Sequence, residues 1–195
     1  MRGVCLDTIT SHPISQWDVV RFGGKSCGLE LSAGPPQFFK MLVENEGGRQ
    51  RESCLHCFKY LSVPPEVVFH VPRHHQNIVS RIYENLKQPH KSGDTGAAHR
   101  VGDYHVHYDR NMLKSVIKVV SADKDLCPEI LRATRSLFEY AGTEVVYLDL
   151  PLAQPASVPL CELLKERDIS FQASGRWKPP MVIILDCRTS KTPLT

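Results

Sequence analysis

The sequence has no apolar run that approaches the roughly 20 residues that a membrane-spanning helix needs. Residues 181–185 are long enough only for a buried strand. A strong charge imbalance is also missing, because 24 Lys and Arg face 21 Asp and Glu, a formal charge of +3. That excess is too small to predict a nucleic-acid or membrane partner. Residues 1–5 lead into a short apolar run broken at Asp7 and show no secretory signal, so we expect a cytoplasmic location.

The cysteines do not form a repeated metal-binding pattern. Seven cysteines, an odd number without a secretory signal, predict reduced thiols. One CxxC motif runs from Cys54 to Cys57, and there is no second. Its flanks are typical of a strand, in which positions three apart point to opposite faces, so the two sulfurs would diverge. We therefore predict structural cysteines and no bound metal, with a zinc-binding scaffold as the alternative.

What is present is the composition of an ordinary globular protein, with 42% hydrophobic and 23% charged residues. A chain of 195 residues can hold one large domain or two small ones. Folding could bury about 70% of its unfolded surface.

Hydrophobic periodicity and turn residues predict a series of strands and helices. The first part reads as a strand over 3–10, a helix over 14–21 ended by Gly23-Gly24, a strand over 25–32, a loop over 33–50 and a strand over 52–61. Pro64-Pro65 marks a boundary. The second part reads as a strand over 67–71, a helix from Pro72, a loop over 88–100, a hairpin of 101–108 and 112–120, a helix over 126–141, a strand over 144–150, a helix over 156–168, and strands over 169–177 and 181–187.

A strand–helix–strand–strand run occurs twice, over residues 3–61 and 144–187. The late run follows further helices and strands, whereas the early run has nothing before it. Since a repeated unit needs neighbours to bury its sheet, we expect the chain to start inside a domain. The predicted division is the rear part of one domain, residues 1–62, and a near-complete domain, residues 63–195. Interleaved strands and helices predict an α/β (α+β) fold.

This order of elements resembles that of the GNAT family of N-acetyltransferases. Short phrases that carry the likeness lie at residues 8–13, 21–23, 71–75 and 145–152. Residues 67–188 cover nearly the whole family topology, so the chain looks like a tandem GNAT-like protein with a truncated first copy. The resemblance implies a mixed β-sheet flanked by helices, with an extra C-terminal half-repeat at the N-terminus. It also implies transfer of an acetyl group from coenzyme A to an amine.

The family holds the pyrophosphate of acetyl-CoA on a glycine-rich turn between a mid-sheet strand and a helix. In this chain the corresponding turn spans residues 120–125 and contains no glycine. If acyl-CoA is bound there, the resemblance implies Ser121 and Lys124 as cofactor-binding residues. Asp123 and Asp125 would repel the phosphates, and the alternative interpretation is an ordinary capped turn.

Two histidines are the candidate catalytic residues. His105 and His107 alternate with Tyr104, Val106 and Tyr108, so one strand face carries the imidazoles. Histidine titrates near neutrality, which makes either one a candidate general base if the second domain is catalytic. Asp103 and Asp109 share this face, so the two histidines could instead bind one metal ion with a carboxylate as third ligand. The same pattern is also produced by a strand with one wet face. The tyrosine that many family members use as general acid is missing from both matching helices.

Two functional hypotheses follow. The first is a GNAT-type N-acyltransferase that uses acetyl-CoA and a small-molecule or protein amine in the intact gene product. The second is a non-catalytic GNAT-fold module that binds a ligand or a partner chain. The open strand edges of a truncated copy also predict a homodimer. Trp17 and Trp177 are predicted to be packing anchors.

Overall fold

The computed structural model describes residues 3–35, 51–94, 96 and 101–167, and the backbone of 181–186. Contacts between Cα atoms divide the chain into two compact units. Unit 1 is Met1–Glu66 with Asn77–His90, and unit 2 is Val67–Gln76 with Lys91–Thr195. The predicted boundary between residues 62 and 63 stays a prediction.

Unit 1 contains an antiparallel sheet covered on one face by a helix. In chain order its elements are β1 (Gly3–Ile9), α1 (Pro13–Arg21), β2 (Lys25–Gly34) and β3 (Glu52–Tyr60). The strand order is β1-β3-β2, so the last strand lies between the first two and is antiparallel to both. Each of these elements was predicted within a few residues of its observed bounds.

Local signals set both ends of α1. His12 is the N-cap, and its Nδ1 accepts a hydrogen bond from the Ser15 amide at 3.2 Å. Pro13 occupies the first turn, where its missing N–H costs nothing. Gly23 ends the helix with a φ of +78°, a left-handed conformation that glycine adopts without strain. The predicted stop at this position is confirmed.

The helix α1 packs on the face of the sheet that carries Leu6 and Thr8. The Thr8 hydroxyl is hydrogen-bonded to that of Ser15, and Val19 is buried. A Cβ built on Gly24 would lie 2.8 Å from Val19 Cγ1 and 3.2 Å from Leu6 Cδ1. The backbone at Gly24 therefore approaches the helix as closely as packing allows.

We expect Gly24→Ala to lower the free energy of unfolding of unit 1 by about 1–3 kcal/mol, because the added methyl group forces the helix away from the sheet. Gly28→Ala is the matched control. There the nearest atoms to a new Cβ, on His56, lie at 3.9 Å, which is an ordinary contact. Urea unfolding of both variants checks the expectation, and equal effects at the two glycines would contradict it.

A short two-stranded sheet follows, formed by β4 (Val67–Phe69) and β5 (His90–Ser92), with α2 (Arg73–Asn85) between them in the chain. The prediction of a loop over 88–100 is wrong for residues 90–92. Nothing apolar marks this strand locally; it exists because β4 supplies a backbone to pair with. Residues 95 and 97–100 lie outside the described part of the chain.

Unit 2 contains a second, larger sheet with the order β6-β7-β8-β9. Its elements are β6 (Asp103–Asp109), β7 (Lys114–Ser121), a 3₁₀ turn (Lys124–Leu126), α3 (Cys127–Tyr140), β8 (Val145–Pro151), α4 (Ser157–Glu166) and β9 (Met181–Asp186). The first two strands form the predicted antiparallel hairpin, while β8 is parallel to both β7 and β9. The helices α3 and α4 thus connect parallel neighbours.

The core of unit 2 lies under α3 and α4. Every residue of β8 from Val145 to Leu150 is buried, as expected for a strand with neighbours on both sides. The cluster that fills the space between this sheet and the helices is aliphatic; it includes Ile117, Ile130, Leu148, Leu160 and Leu164, each fully inaccessible.

The coarse prediction of a mixed α+β fold is confirmed, whereas the repeat is not. In unit 1 the last strand pairs antiparallel with the first, but β9 pairs parallel with β8. The strand predicted over 169–177 lies outside the described residues. No helix in the part of the chain that the structure describes is long and apolar enough to cross a membrane.

Candidate functional site

The predicted cofactor turn lies between β7 and α3. Ser121 is half-buried at the end of β7, and Lys124 is exposed in the 3₁₀ turn that precedes the helix. The turn contains Asp123, Lys124 and Asp125, so two carboxylates against one ammonium group leave its local charge negative. A phosphate would need main-chain N–H groups that point outward here.

Most of those N–H groups already have acceptors within the chain. The Ala122 amide donates to Gln154 Oε1 at 2.7 Å, and the Asp125 amide donates to Asp123 Oδ1 at 2.8 Å. The Leu126 amide donates to the Asp123 carbonyl at 3.2 Å. Asp123 thus acts as the cap of the turn, which is the alternative interpretation given above.

Gln154 is the residue that sequence reasoning missed. It follows β8, and its side-chain amide reaches the end of β7, where Nε2 donates to the Val120 carbonyl at 2.8 Å. Together with the bond from Ala122 this makes a two-point clamp on the turn. A carboxamide oxygen therefore occupies the place where a phosphate oxygen would have to accept. No signal in the sequence marks this glutamine.

The candidate catalytic histidines lie on the opposite, solvent-facing side of the hairpin from the core. His105 and His107 are exposed on β6, next to Lys118 and Val116 of β7. Among the described residues neither imidazole has a hydrogen-bond partner that would orient it. Ser121 pairs with Asp103, so the turn is at the far end of β6 from His107. Their assignment as general bases stays a prediction.

A second constellation, in unit 1, joins residues from three strands. His56 on the central strand β3 lies between Asp7 of β1 and Glu30 of β2. Its Nδ1 is 2.7 Å from Asp7 Oδ1, and its Nε2 is 3.0 Å from Glu30 Oε2. Asp7 is the register partner of His56, and Glu30 is the partner of Cys54 two residues away. The strand order β1-β3-β2 is what brings the two carboxylates to one imidazole.

This arrangement favours the imidazolium form. The hydrogen bond to Glu30 is the largest cause that raises the pKa of His56, burial acts against it, and Asp7 adds to the rise. In the imidazolium form both ring nitrogens donate, so that form has no ring nitrogen left to accept a proton from a substrate. The cluster is therefore a fixed charge network across the sheet. Its sequence signals were Asp7 inside an apolar strand and Glu30 at an alternating position of the next.

The CxxC motif folds as expected for a strand. Cys54 and Cys57 lie on β3, and Cys57 is buried on the α1 side opposite Leu6. Burial raises the pKa of the Cys57 thiol, which makes it a poor nucleophile and a poor metal ligand. Within the described ranges, no three His, Cys, Asp or Glu side chains are arranged to hold a metal ion.

The prediction that Trp17 anchors the core is wrong. Its side chain is 59% exposed on the outer face of α1, and the Arg21 guanidinium lies 4.5 Å from the ring centroid. The helix buries Val19 instead, and a residue two positions earlier points to the other side. Trp177 lies outside the described residues.

Comparison of the chain with protein-family models, with curated proteins and with solved structures finds no match to any of them. The GNAT resemblance therefore stays a prediction that depends on the residues and element order given above.

Proposed function

We propose that this chain is a non-catalytic binding module with a GNAT-type fold, and that its ligand is another protein chain. The observation that carries the proposal is that the main-chain amides of the turn after β7 are already hydrogen-bonded to side chains of the same chain. The amides of Ala122 and Asp125 already donate to Gln154 and Asp123, and the carboxylates of Asp123 and Asp125 would repel a phosphate at this turn.

The position of the histidines supports the same proposal. A general base is usually held by a second group that fixes its ring, as in serine hydrolases. His105 and His107 instead lie on an open strand face with Lys118 beside them. An exposed strand with an unused backbone edge is better suited to pairing with another chain.

The acyltransferase hypothesis is the second candidate. It is supported by the order of the elements from β4 to α4, which resembles the family pattern except for the added strand β5. In that case acetyl-CoA would contact Ser121 and Lys124, and an amine of a small molecule or a protein would accept the acetyl group. The Asp123 carboxylate and the Gln154 side chain would have to move before a phosphate could reach the turn.

A thermal-shift titration with acetyl-CoA separates the two candidates. A ligand that binds only the native state must raise the melting temperature. Because we propose that acetyl-CoA does not bind, we expect no change in the melting temperature up to about 1 mM ligand. A saturable rise in wild type that is lost in Lys124→Glu, but kept in Lys118→Glu on the neighbouring strand, would refute the proposal in favour of the acyltransferase.

A further inference from the structure

The strand β6 reads the same in both directions. From Asp103 to Asp109 its sequence is Asp-Tyr-His-Val-His-Tyr-Asp, with Val106 at the centre. The limits of this palindrome are also the limits of the strand. A palindrome has no consequence inside one chain, since β7 faces it with an unrelated sequence. It has a direct consequence when the strand meets a copy of itself.

The outer edge of β6 is available for such a meeting. The strand is at the end of the order β6-β7-β8-β9, and no other strand of the described chain pairs with its outer side. Five of its seven residues are exposed, among them Val106 and Tyr108, at 45% and 36%. It contains no proline, lysine or arginine, the residues that commonly protect a sheet edge.

We propose that two copies of this chain pair antiparallel through β6 about a two-fold axis at Val106, which creates a four-histidine site for a divalent transition metal. The proposal rests on the proposed function in so far as the chain is a binding module, and it names a second copy as the partner. A two-fold axis at a residue is compatible with antiparallel pairing whichever amides of β6 point outward, because directly opposite residues are either a hydrogen-bonded or a non-hydrogen-bonded pair.

The palindrome makes every cross-strand pair match. On one face Val106 meets its own copy and Tyr104 meets Tyr108 of the second copy, so exposed apolar surface is covered by aromatic and β-branched pairs. On the other face His105 lies opposite His107 of the second copy. By symmetry His107 lies opposite His105 of that copy, on the other side of the axis. At each end Asp103 meets Asp109 of the second copy, a like-charge pair that weakens the two ends of the strand pair and contributes to the modest affinity expected below.

Four imidazoles on one face form a set of ligands that one chain lacks. Directly opposite residues have Cβ atoms about 4.5–5.5 Å apart, close enough for two rings to share one metal ion. Imidazole nitrogen suits zinc, copper and nickel. Lys118 is the cross-strand partner of His105 in each copy, so a bound metal would have an ammonium group beside it.

A single strand pair buries less than the roughly 800 Å² per partner of a standard stable interface, so we expect a dimer with a dissociation constant on the order of 10 µM without metal. Sedimentation velocity across a concentration series measures this. Val106→Lys places two ammonium groups opposite each other on the axis and should weaken the dimer about 100-fold. The matched control Val101→Lys, at a position 92% exposed and outside the strand, should leave it unchanged.

The metal is tested with zinc alone. Zinc should tighten the wild-type dimer at least about 10-fold, and His105→Ala with His107→Ala should abolish that gain while keeping the metal-free dimer. Hydrogen exchange of wild type needs no variant: the β6 amides should become protected as concentration rises. A monomer at all concentrations, or a dimer that survives Val106→Lys, overturns the pairing. A dimer that zinc does not tighten overturns the metal site. Neither result depends on whether acetyl-CoA binds.

Discussion

Replacement of Leu148 by alanine should lower the free energy of unfolding of unit 2 by about 3–4 kcal/mol. Leu148 is fully inaccessible at the centre of β8, which has paired strands on both sides. It belongs to the same buried cluster as Ile130 of α3 and Leu160 of α4. We expect the cavity left by the missing side chain to stay open. The strand β8 is hydrogen-bonded to β7 and β9, and α3 and α4 pack against the same cluster, so neither can move in to fill it.

A chain with two units need not unfold in one step, so the loss has to be measured for unit 2 by itself. Hydrogen exchange of the β8 amides, recorded as the temperature is raised, reports the free energy of unfolding of that unit. Val120→Ala is the control, because this valine of β7 is 44% exposed and should cost less than about 0.5 kcal/mol. If Leu148→Ala cost no more than its control, β8 would not be the centre of the core.

Sequence reasoning succeeded where a single element carries its own signal. Apolar residues recurring along one face predicted a helix over 126–141, and α3 runs from Cys127 to Tyr140. The turn at 109–111 and the alternation on each side of it predicted the β6–β7 hairpin, which forms with the expected antiparallel pairing. In these cases the side-chain pattern and the tertiary environment require the same local structure.

It failed where the signal lies between distant segments. The strand β5 is polar and exists only by pairing with β4, and Gln154 binds a turn more than thirty residues earlier in the chain. The order β1-β3-β2 is a property of the assembled sheet, so no local pattern could place Asp7 and Glu30 on the two sides of His56. The candidate site was thus predicted as residue types and not as an arrangement.

The stability of unit 1 should depend on pH through His56. A pKa that is raised in the folded state means that the charged imidazole is stabilised there, so the contribution is fully present below the unfolded value of about 6.5 and is lost as pH rises through the folded value. His56→Gln removes the titration while keeping a polar side chain. We expect wild type to exceed this variant by about 1–2 kcal/mol near pH 5.5, above the range in which carboxyl groups protonate.

That difference should shrink as the pH is raised towards 8.5, because the neutral ring can donate to only one carboxylate at a time. Urea unfolding at a series of pH values measures the difference. The control is His105→Gln, at an exposed histidine of the other unit. The stability of unit 1 in this variant should equal that of wild type at every pH. A direct check follows the ring protons of His56 by NMR as the pH is changed. The midpoint of their titration should lie above about 6.5, the pKa of an unperturbed histidine. If the wild-type advantage instead grew with pH, His56 would be held neutral in the sheet, and the two carboxylates would have to be stabilised by something other than its charge.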